Sequence, residues 1–238
     1  MILLALDTCD SRGSLAVLRD DEVLKAVAHE GTADFSSWVL PTAQEALRAA
    51  GAEMRDVEVF AVASGPGSFT GVRIGLTTVK AWSEAYGKPV AGISRLEAIA
   101  WQAIGSDGYV AAFADAHREQ VFGGLYWRQD SGLTLVDQEI VVAPDGFVKW
   151  VGEHVAGQTV SWVSMDPEKV TSLDIWAERS KKGESVQTSA KLLAPTIGRI
   201  GRQRALDGRL TDALGLDAEY VRRSDAEIFR KGETKSGS

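Results

Sequence analysis

The amino-acid sequence predicts an α/β fold in two parts, and three observations lead to it. Three strand-like segments come first, opening with the apolar run Ile2 to Leu6, before any helical pattern begins. A further strand, Val57 to Ala63, then runs straight into the glycine-rich turn Ser64 to Gly75 and a helix. Strand-like segments resume after Gly105-Ser106-Asp107-Gly108, the natural boundary between an N-terminal part (1–105) and a C-terminal part (106–238). Three strands, a helix, a strand and a helix, closed by one more strand and helix, make the order of a layered α/β unit.

Ile2 to Leu6 is continuously apolar, the pattern of a strand covered on both faces. The polar stretch Asp7 to Gly13 turns the chain, Ser14 to Leu18 is largely apolar again, and Asp20-Asp21 turns into Val23 to Ala28. Phe35, Trp38, Val39, Ala43, Ala46, Leu47 and Ala50 recur at helical spacing, with Asp34 or Ser36 as N-cap and Gly51 as the stop. Pro41 falls inside this pattern, where proline removes a hydrogen bond and crowds the preceding turn, so the helix kinks there or its regular part starts nearby. The second helix carries Val72, Leu76, Val79, Trp82 and Tyr86 as its stripe and stops at Gly87-Lys88-Pro89. Val90 to Ile93 reads as a short strand and Leu96 to Ile104 as a helix.

In the C-terminal part, Tyr109 to Ala114, Gln120 to Trp127 and Leu133 to Val142 read as strands. A helix from Asp145 to about Val151 and a strand near Val160 follow. Residues 178–189 are charged and contain Ser and Gly, which predicts a loop; Ala190 to Leu206 has helical period. Arg230 to Ser238 is polar and predicted to fray, and a return of the last segment to the N-terminal part stays open.

Hydrophobic residues at 45% and charged residues at 25% fit an ordinary globular protein and exclude a disordered one. The net charge of −7 argues against a chain that grips nucleic acid unaided, because phosphate neutralisation by Lys and Arg dominates such affinity. Arg179, Lys181 and Lys182 form the nearest basic cluster and read as a solvated linker. Cys9 is the only cysteine, so no intramolecular disulfide is expected. The first apolar run ends at Asp7 with no basic flank, unlike a signal peptide, and no stretch reaches the roughly 18 apolar residues of a membrane helix. A cytoplasmic location is the expectation.

Ser64-Gly65-Pro66-Gly67-Ser68-Phe69-Thr70-Gly71 is neither a Walker A loop, since no Gly-Lys-Ser/Thr follows, nor a dinucleotide fingerprint. It is a strand-to-helix turn in which Ser68 or Thr70 can cap the helix, and two readings stay open: a tight structural connection, or an anion site on the free N–H groups. Gly71 and Gly75, four apart, allow close approach of another helix, with Arg73 near that face; packing within the chain is the alternative. Asp7-Thr8 resembles the phosphate-facing hairpin of actin-like ATPases, where the Asp contacts a nucleotide-bound magnesium or caps the turn. His29, His117 and His154 lie far apart, and Ala33 stands where a metalloprotease motif begun by His29-Glu30 needs its second His. Cys9 and Ser68 lack a base visible in sequence, although a fold could bring His117 near either. The seven Trp are scattered, which suits core or interface roles better than a base-stacking platform.

The run GPGSFTGVRIG at Gly65 to Gly75 resembles the signature of the TsaB family over its whole length. The opening ALDTCDS, Val39-Leu40-Pro41, Gly92-Ile93-Ser94-Arg95-Leu96-Glu97, the stretch Asp115 to Phe122 and Tyr220-Val221-Arg222 are similar to further family motifs. The likeness is strong over residues 1–127 and weak between about 128 and 215. It departs at Phe35 and His117, where the family commonly carries His and Arg.

The resemblance implies an actin-like (ASKHA, ribonuclease H-like) fold of two subdomains with mixed sheets flanked by helices. It implies a non-catalytic dimerization subunit that pairs with TsaD, with TsaE in the wider complex, in adding threonylcarbamoyl to N6 of adenosine 37 of tRNA. ATP and metal would then be bound by the partner subunits, with no cofactor of this chain's own, and tRNA would be met only indirectly. The partner interface would comprise Phe35, Trp38, Pro41, Thr70, Gly71, Arg73 and Gly75, and the chain alone would form a homodimer through the same helices. The competing expectation is an enzyme in its own right, a nucleotide-dependent transferase or a glycoprotease-like hydrolase, with Asp7, Thr8, Gly65, Gly67 and Ser68 as a nucleotide or anion loop.

Overall fold

A computed structural model describes residues 1–30, 34–105, 107–130 and 132–217. The chain opens with the antiparallel meander β1 (Ile2–Asp7), β2 (Ser14–Arg19) and β3 (Glu22–Ala28), with β1 and β2 registered from Ile2 opposite Arg19 to Asp7 opposite Ser14. β4 (Val59–Gly65) adds in parallel on the other side of β1, and β5 (Val90–Ser94) adds in parallel to β4. The resulting order is β3-β2-β1-β4-β5. β1 is thus central, and Leu3, Leu4, Ala5 and Leu6 are all buried, which is why its sequence is apolar at every position rather than at alternate ones.

Helix α1 (Phe35–Ala49) packs on β2 and β3, α2 (Phe69–Tyr86) packs on β4 and β5, and the two helices touch. α2 sets Gly75 against Val62, whereas the late helix α7 (Ala194–Leu206) sets Gly201 against Ala61. Successive residues of a strand point to opposite faces, so α7 covers the face that α1 and α2 leave open. Short helix α3 (Arg95–Ala100) follows β5 and packs on both sheets.

The second sheet holds β6 (Gly108–Asp115), β7 (Val121–Gln129), β8 (Gly132–Leu135), β9 (Ile140–Val142), β10 (Val160–Ser164) and β11 (Val186–Thr188). Its order is β11-β10-β6-β7-β8, with β9 also paired to β7. Helix α4 (Pro144–Val155) and the short α5 (Glu168–Thr171) and α6 (Trp176–Lys181) accompany it. Phe147 meets Trp162 edge-on, and Trp162 meets Trp176 in the same way. These rings fill a second apolar core, where large aromatic area is worth most.

Several predicted bounds need correction. The strand expected over Leu133–Val142 is two strands, because the chain leaves the ladder after Leu135 and rejoins it at Ile140. The helix expected to reach Ile104 ends at Ala100, and the one expected from Ala190 begins at Ala194, with Pro195 in its first turn, where its missing N–H costs nothing. The predicted loop 178–189 contains the end of α6 and the strand β11. Pro41 lies inside α1, which runs on through it to Ala49. Tyr220-Val221-Arg222 and the polar end 230–238 lie outside the described residues.

Candidate functional site

The ends of β1 and β4 and the start of α2 meet at one corner of the first sheet. Asp7 closes β1 and accepts the Cys9 backbone N–H on Oδ1 at 2.9 Å, an Asx turn that bends the chain toward α2. The Thr8 hydroxyl donates to the Gly71 carbonyl at 2.7 Å, and the Ser68 N–H donates to the Cys9 carbonyl at 2.6 Å. Ser68 also caps α2, its Oγ accepting from the Gly71 N–H at 3.1 Å. Residues 7–9 are thereby pressed into the glycine turn.

That fit explains the glycines. A Cβ at Gly71 would overlap the Thr8 carbonyl oxygen, one at Gly75 would stand 2.5 Å from Thr8 Oγ1, and one at Gly67 would overlap the Cys9 carbonyl. Gly71 and Gly75, expected at the partner interface, are buried against the chain's own β1 turn, whereas Thr70 and Arg73 are exposed. Their spacing shows that they share a helix face but not which way that face points.

A chain of charges crosses from this corner to the second sheet. Fully buried Arg95, at the start of α3, reaches Asp7 at 3.5 Å and Asp10 at 2.5 Å. Arg12 donates to Asp10 at 2.7 Å and, across the gap between the sheets, to Asp166 at 2.8 Å. Asp166, just past β10, also accepts the Asp115 N–H at 3.2 Å, and Lys169 pairs with Asp115 at 3.1 Å. Burial opposes ionisation of Asp10, but the Arg95 charge and the Arg12 hydrogen bonds outweigh it and hold its carboxyl below the ordinary value. Burial likewise opposes Asp166, and hydrogen bonds from Arg12 and the Asp115 N–H bring it below its ordinary value. Burial would lower the Arg95 pKa, but Asp7 and Asp10 raise it instead, so it stays charged.

The residues expected to form a nucleotide or anion loop lie at this corner, and the first two are turned inward. Asp7 and Thr8 are 0% and 1% exposed, with their polar atoms spent inside the chain. Gly67 is covered by Cys9, and Ser68 Oγ is spent on the cap. Of the expected nucleotide or anion loop, Asp7, Thr8 and Gly65 are buried, while Gly67 is half-buried and Ser68 is exposed. Cys9 is fully buried, and burial, then the charge of Asp7, pushes its thiol pKa up, which disfavours a thiolate nucleophile. His117 stands on the β6–β7 turn with its side chain 80% exposed. No group of three His, Cys, Asp or Glu able to hold a metal occurs among the described residues, and no helix among them is long and apolar enough to cross a membrane.

The α1 and α2 residues divide into two sets. Phe35 and Trp38 pack with His29, at ring separations of 4.4 Å and 5.1 Å, and both are half-buried, with Phe35 lying over Gly13. Pro41, Thr70 and Arg73 are exposed, and the Arg73 guanidinium sits 3.6 Å over the Phe69 ring. Leu40 (47% exposed) and Phe69 (38% exposed) are the large apolar side chains on this surface that the sequence reading did not single out. Leu40 lies one residue off the buried stripe, beside Val39, and a helix that buries one face predicts solvent there. Asp10, Arg12, Arg95 and Asp166 were not singled out as site residues, although Asp10 and Arg95 fall inside the motifs ALDTCDS and Gly92 to Glu97; for Arg12 and Asp166 the only signal was charge placed beside apolar strand ends.

Comparison with known proteins gives a consistent picture. Residues 26–164 match the family model described as TsaD: tRNA N6-adenosine threonylcarbamoyltransferase. The tRNA threonylcarbamoyladenosine biosynthesis protein TsaB of Bacillus subtilis is 33% identical over 145 residues, 60% of this chain and 63% of that protein, so the matched stretch spans less than two thirds of the relative. The Escherichia coli protein of the same name is 28% identical over 199 residues, 82% of each chain. The structure of YeaZ from Pseudomonas aeruginosa superposes with a TM-score of 0.69 at 25% identity, covering 92% of this chain and 99% of that one. A ROK hexokinase from Thermus thermophilus, at 12% identity and a TM-score of 0.50, shares the actin-like fold alone.

Proposed function

The chain belongs to the TsaB family, within the group described as tRNA N6-adenosine threonylcarbamoyltransferases, and from that premise we propose that it is a non-catalytic dimerization subunit of a threonylcarbamoyladenosine-forming complex. The observation that carries the reading is the buried corner: Asp7 accepts the Cys9 N–H and pairs with Arg95, so its carboxylate is committed inside the chain rather than offered to a ligand. A family member whose Asp7 is committed in this way would serve the reaction through a partner. That partner would be the paralogue TsaD, with TsaE in the wider assembly, and ATP and metal would be theirs.

The adjoining outward surfaces of α1 and α2 support the same reading. Leu40, Pro41, Phe69 and Arg73 put apolar surface and one stacked cation on a pair of touching helices, the composition favoured at interface centres. The chain alone would pair with a copy of itself through these helices until TsaD displaces it. The test is co-purification with TsaD of the same organism, with mass from light scattering and threonylcarbamoyladenosine formation on tRNA. A one-to-one complex active only with both chains supports the proposal. A chain that never associates at micromolar concentration, or that forms the product alone, overturns it.

A further inference from the structure

We infer that a groove between α3 and the start of α7 is a contact site for RNA, taking a stacked base and its flanking phosphates. The inference rests on the reading above, since it gives this subunit a direct hold on the tRNA substrate. The groove encloses about 530 Å³ and is lined by Trp101, Gln102, Lys191, Thr196 and Arg199, together with small and aliphatic residues. That volume lies within the range of small-ligand pockets.

Three features converge on a phosphate-bearing occupant. The chain as a whole carries 33 acidic against 26 basic residues, yet the lining of this groove has two cations and no carboxylate. Lys191 and Arg199 are both exposed, and neither makes an ion pair among the described residues. Thr196 is 9% exposed in the first turn of α7, lines the groove, and its hydroxyl makes no hydrogen bond among the described residues. It lies in the first turn of α7, where the helix dipole favours an anion, although the Ala194 N–H is already bonded to Ser14 Oγ and the Ile197 N–H to the Leu193 carbonyl. Half-buried Trp101 supplies an aromatic surface next to the two cations, the pairing that single-stranded RNA sites use.

The groove is also held in shape. Gln102 accepts the Ala190 N–H at 2.7 Å on its side-chain oxygen, and its backbone carbonyl accepts from Gln187 Nε2 at 2.7 Å. The Ile104 N–H in turn donates to Gln187 Oε1 at 2.7 Å. These bonds tie the residues just after α3 to β11 and to Ala190 beyond it, so the backbone that carries Trp101 and Lys191 is held in place.

The experiment titrates a tRNA anticodon stem-loop against the full chain, alone and assembled with TsaD, by fluorescence anisotropy at several salt concentrations. Lys191→Glu/Arg199→Glu is expected to weaken binding tenfold or more and to lower the slope of log K against log salt by about 1.4, near 0.7 per lost single-strand phosphate. Trp101→Ala is expected to weaken binding about tenfold with the slope unchanged, while Trp101→Phe keeps most of it. The double control Lys181→Glu/Lys182→Glu, at the C-terminal end of α6, should leave the affinity within twofold. Unchanged affinity in the groove variant, or an equal loss in the α6 control, overturns the inference. So does displacement of the RNA by a poly-glutamate peptide at matched charge, which would make the occupant an acidic protein segment. Melting temperatures and light scattering run alongside: normal assembly with unchanged RNA binding defeats this inference alone, and failed assembly defeats the subunit reading instead.

Discussion

Arg12 and Asp166, 154 residues apart in the chain, meet at 2.8 Å and so fasten the first sheet to the second. Arg12 also holds Asp10, and through it Arg95 and Asp7, so one guanidinium links this corner to the far sheet. Removing either end leaves a partly buried partner short of a charge-assisted bond. Arg12→Ala and Asp166→Ala should each lower stability by about 1–3 kcal/mol, and the double variant should cost less than their sum. Urea unfolding of the four proteins in a double-mutant cycle checks this; additive losses would mean that the contact does not couple the sheets.

The same carboxylates set a pH dependence. Asp10 and Asp166 have folded pKa values below their ordinary range, so at acid pH the unfolded chain binds more protons than the folded one. Stability they supply is complete above the unfolded value near 4 and is lost as pH falls through the lower folded values. Thermal melts between pH 6 and 3 should show a fall concentrated below about pH 4. Asp166→Asn should start from a lower melting temperature and decline less steeply in that window.

Gly71 and Gly75 have no space for a methyl group beside Thr8. Gly71→Ala should destabilise the protein by about 2–4 kcal/mol through overpacking against backbone, with Gly75→Ala milder because a side chain can shift. Thr77→Ala, on the exposed side of α2, should change stability by less than about 0.5 kcal/mol. Guanidinium denaturation of the three variants measures the difference. Equal effects at 71 and 77 would place the glycines on the outer face after all.

Leu40→Asp, Phe69→Asp and Arg73→Glu alter exposed positions, so each should fold with a melting temperature near that of the wild type. Each should nevertheless weaken association with TsaD at least tenfold, read by calorimetry or light scattering. If all three variants bind TsaD normally, the interface lies elsewhere.

The sequence made the first sheet readable because each strand there is short, apolar and bounded by polar turns, as Leu3 to Leu6 and Asp7 illustrate. The second sheet was less legible. β8, β9 and β11 are three or four residues long, and α5 and α6 no more than six, too short to establish a period. In the site, the Gly65–Gly75 turn stood out, but its inward orientation did not, since spacing fixes a face and packing decides where it points. Arg12 and Asp166 could not be paired in advance, because only the relative placement of the two sheets brings them together.

α7 has a consequence for how the protein comes into being. Its residues leave the ribosome after both sheets have been made, yet Ile197, Ile200 and Gly198 complete the wall behind β1 and β2, with Gly198 against Leu18. Until residue 206 or so emerges, one side of the first sheet is bare apolar surface, exposed for the many seconds that translation takes and open to aggregation or to chaperones. The two halves therefore cannot mature in the order in which they are synthesised, and a nascent chain halted near residue 105 should be captured by holdases rather than released as a folded unit.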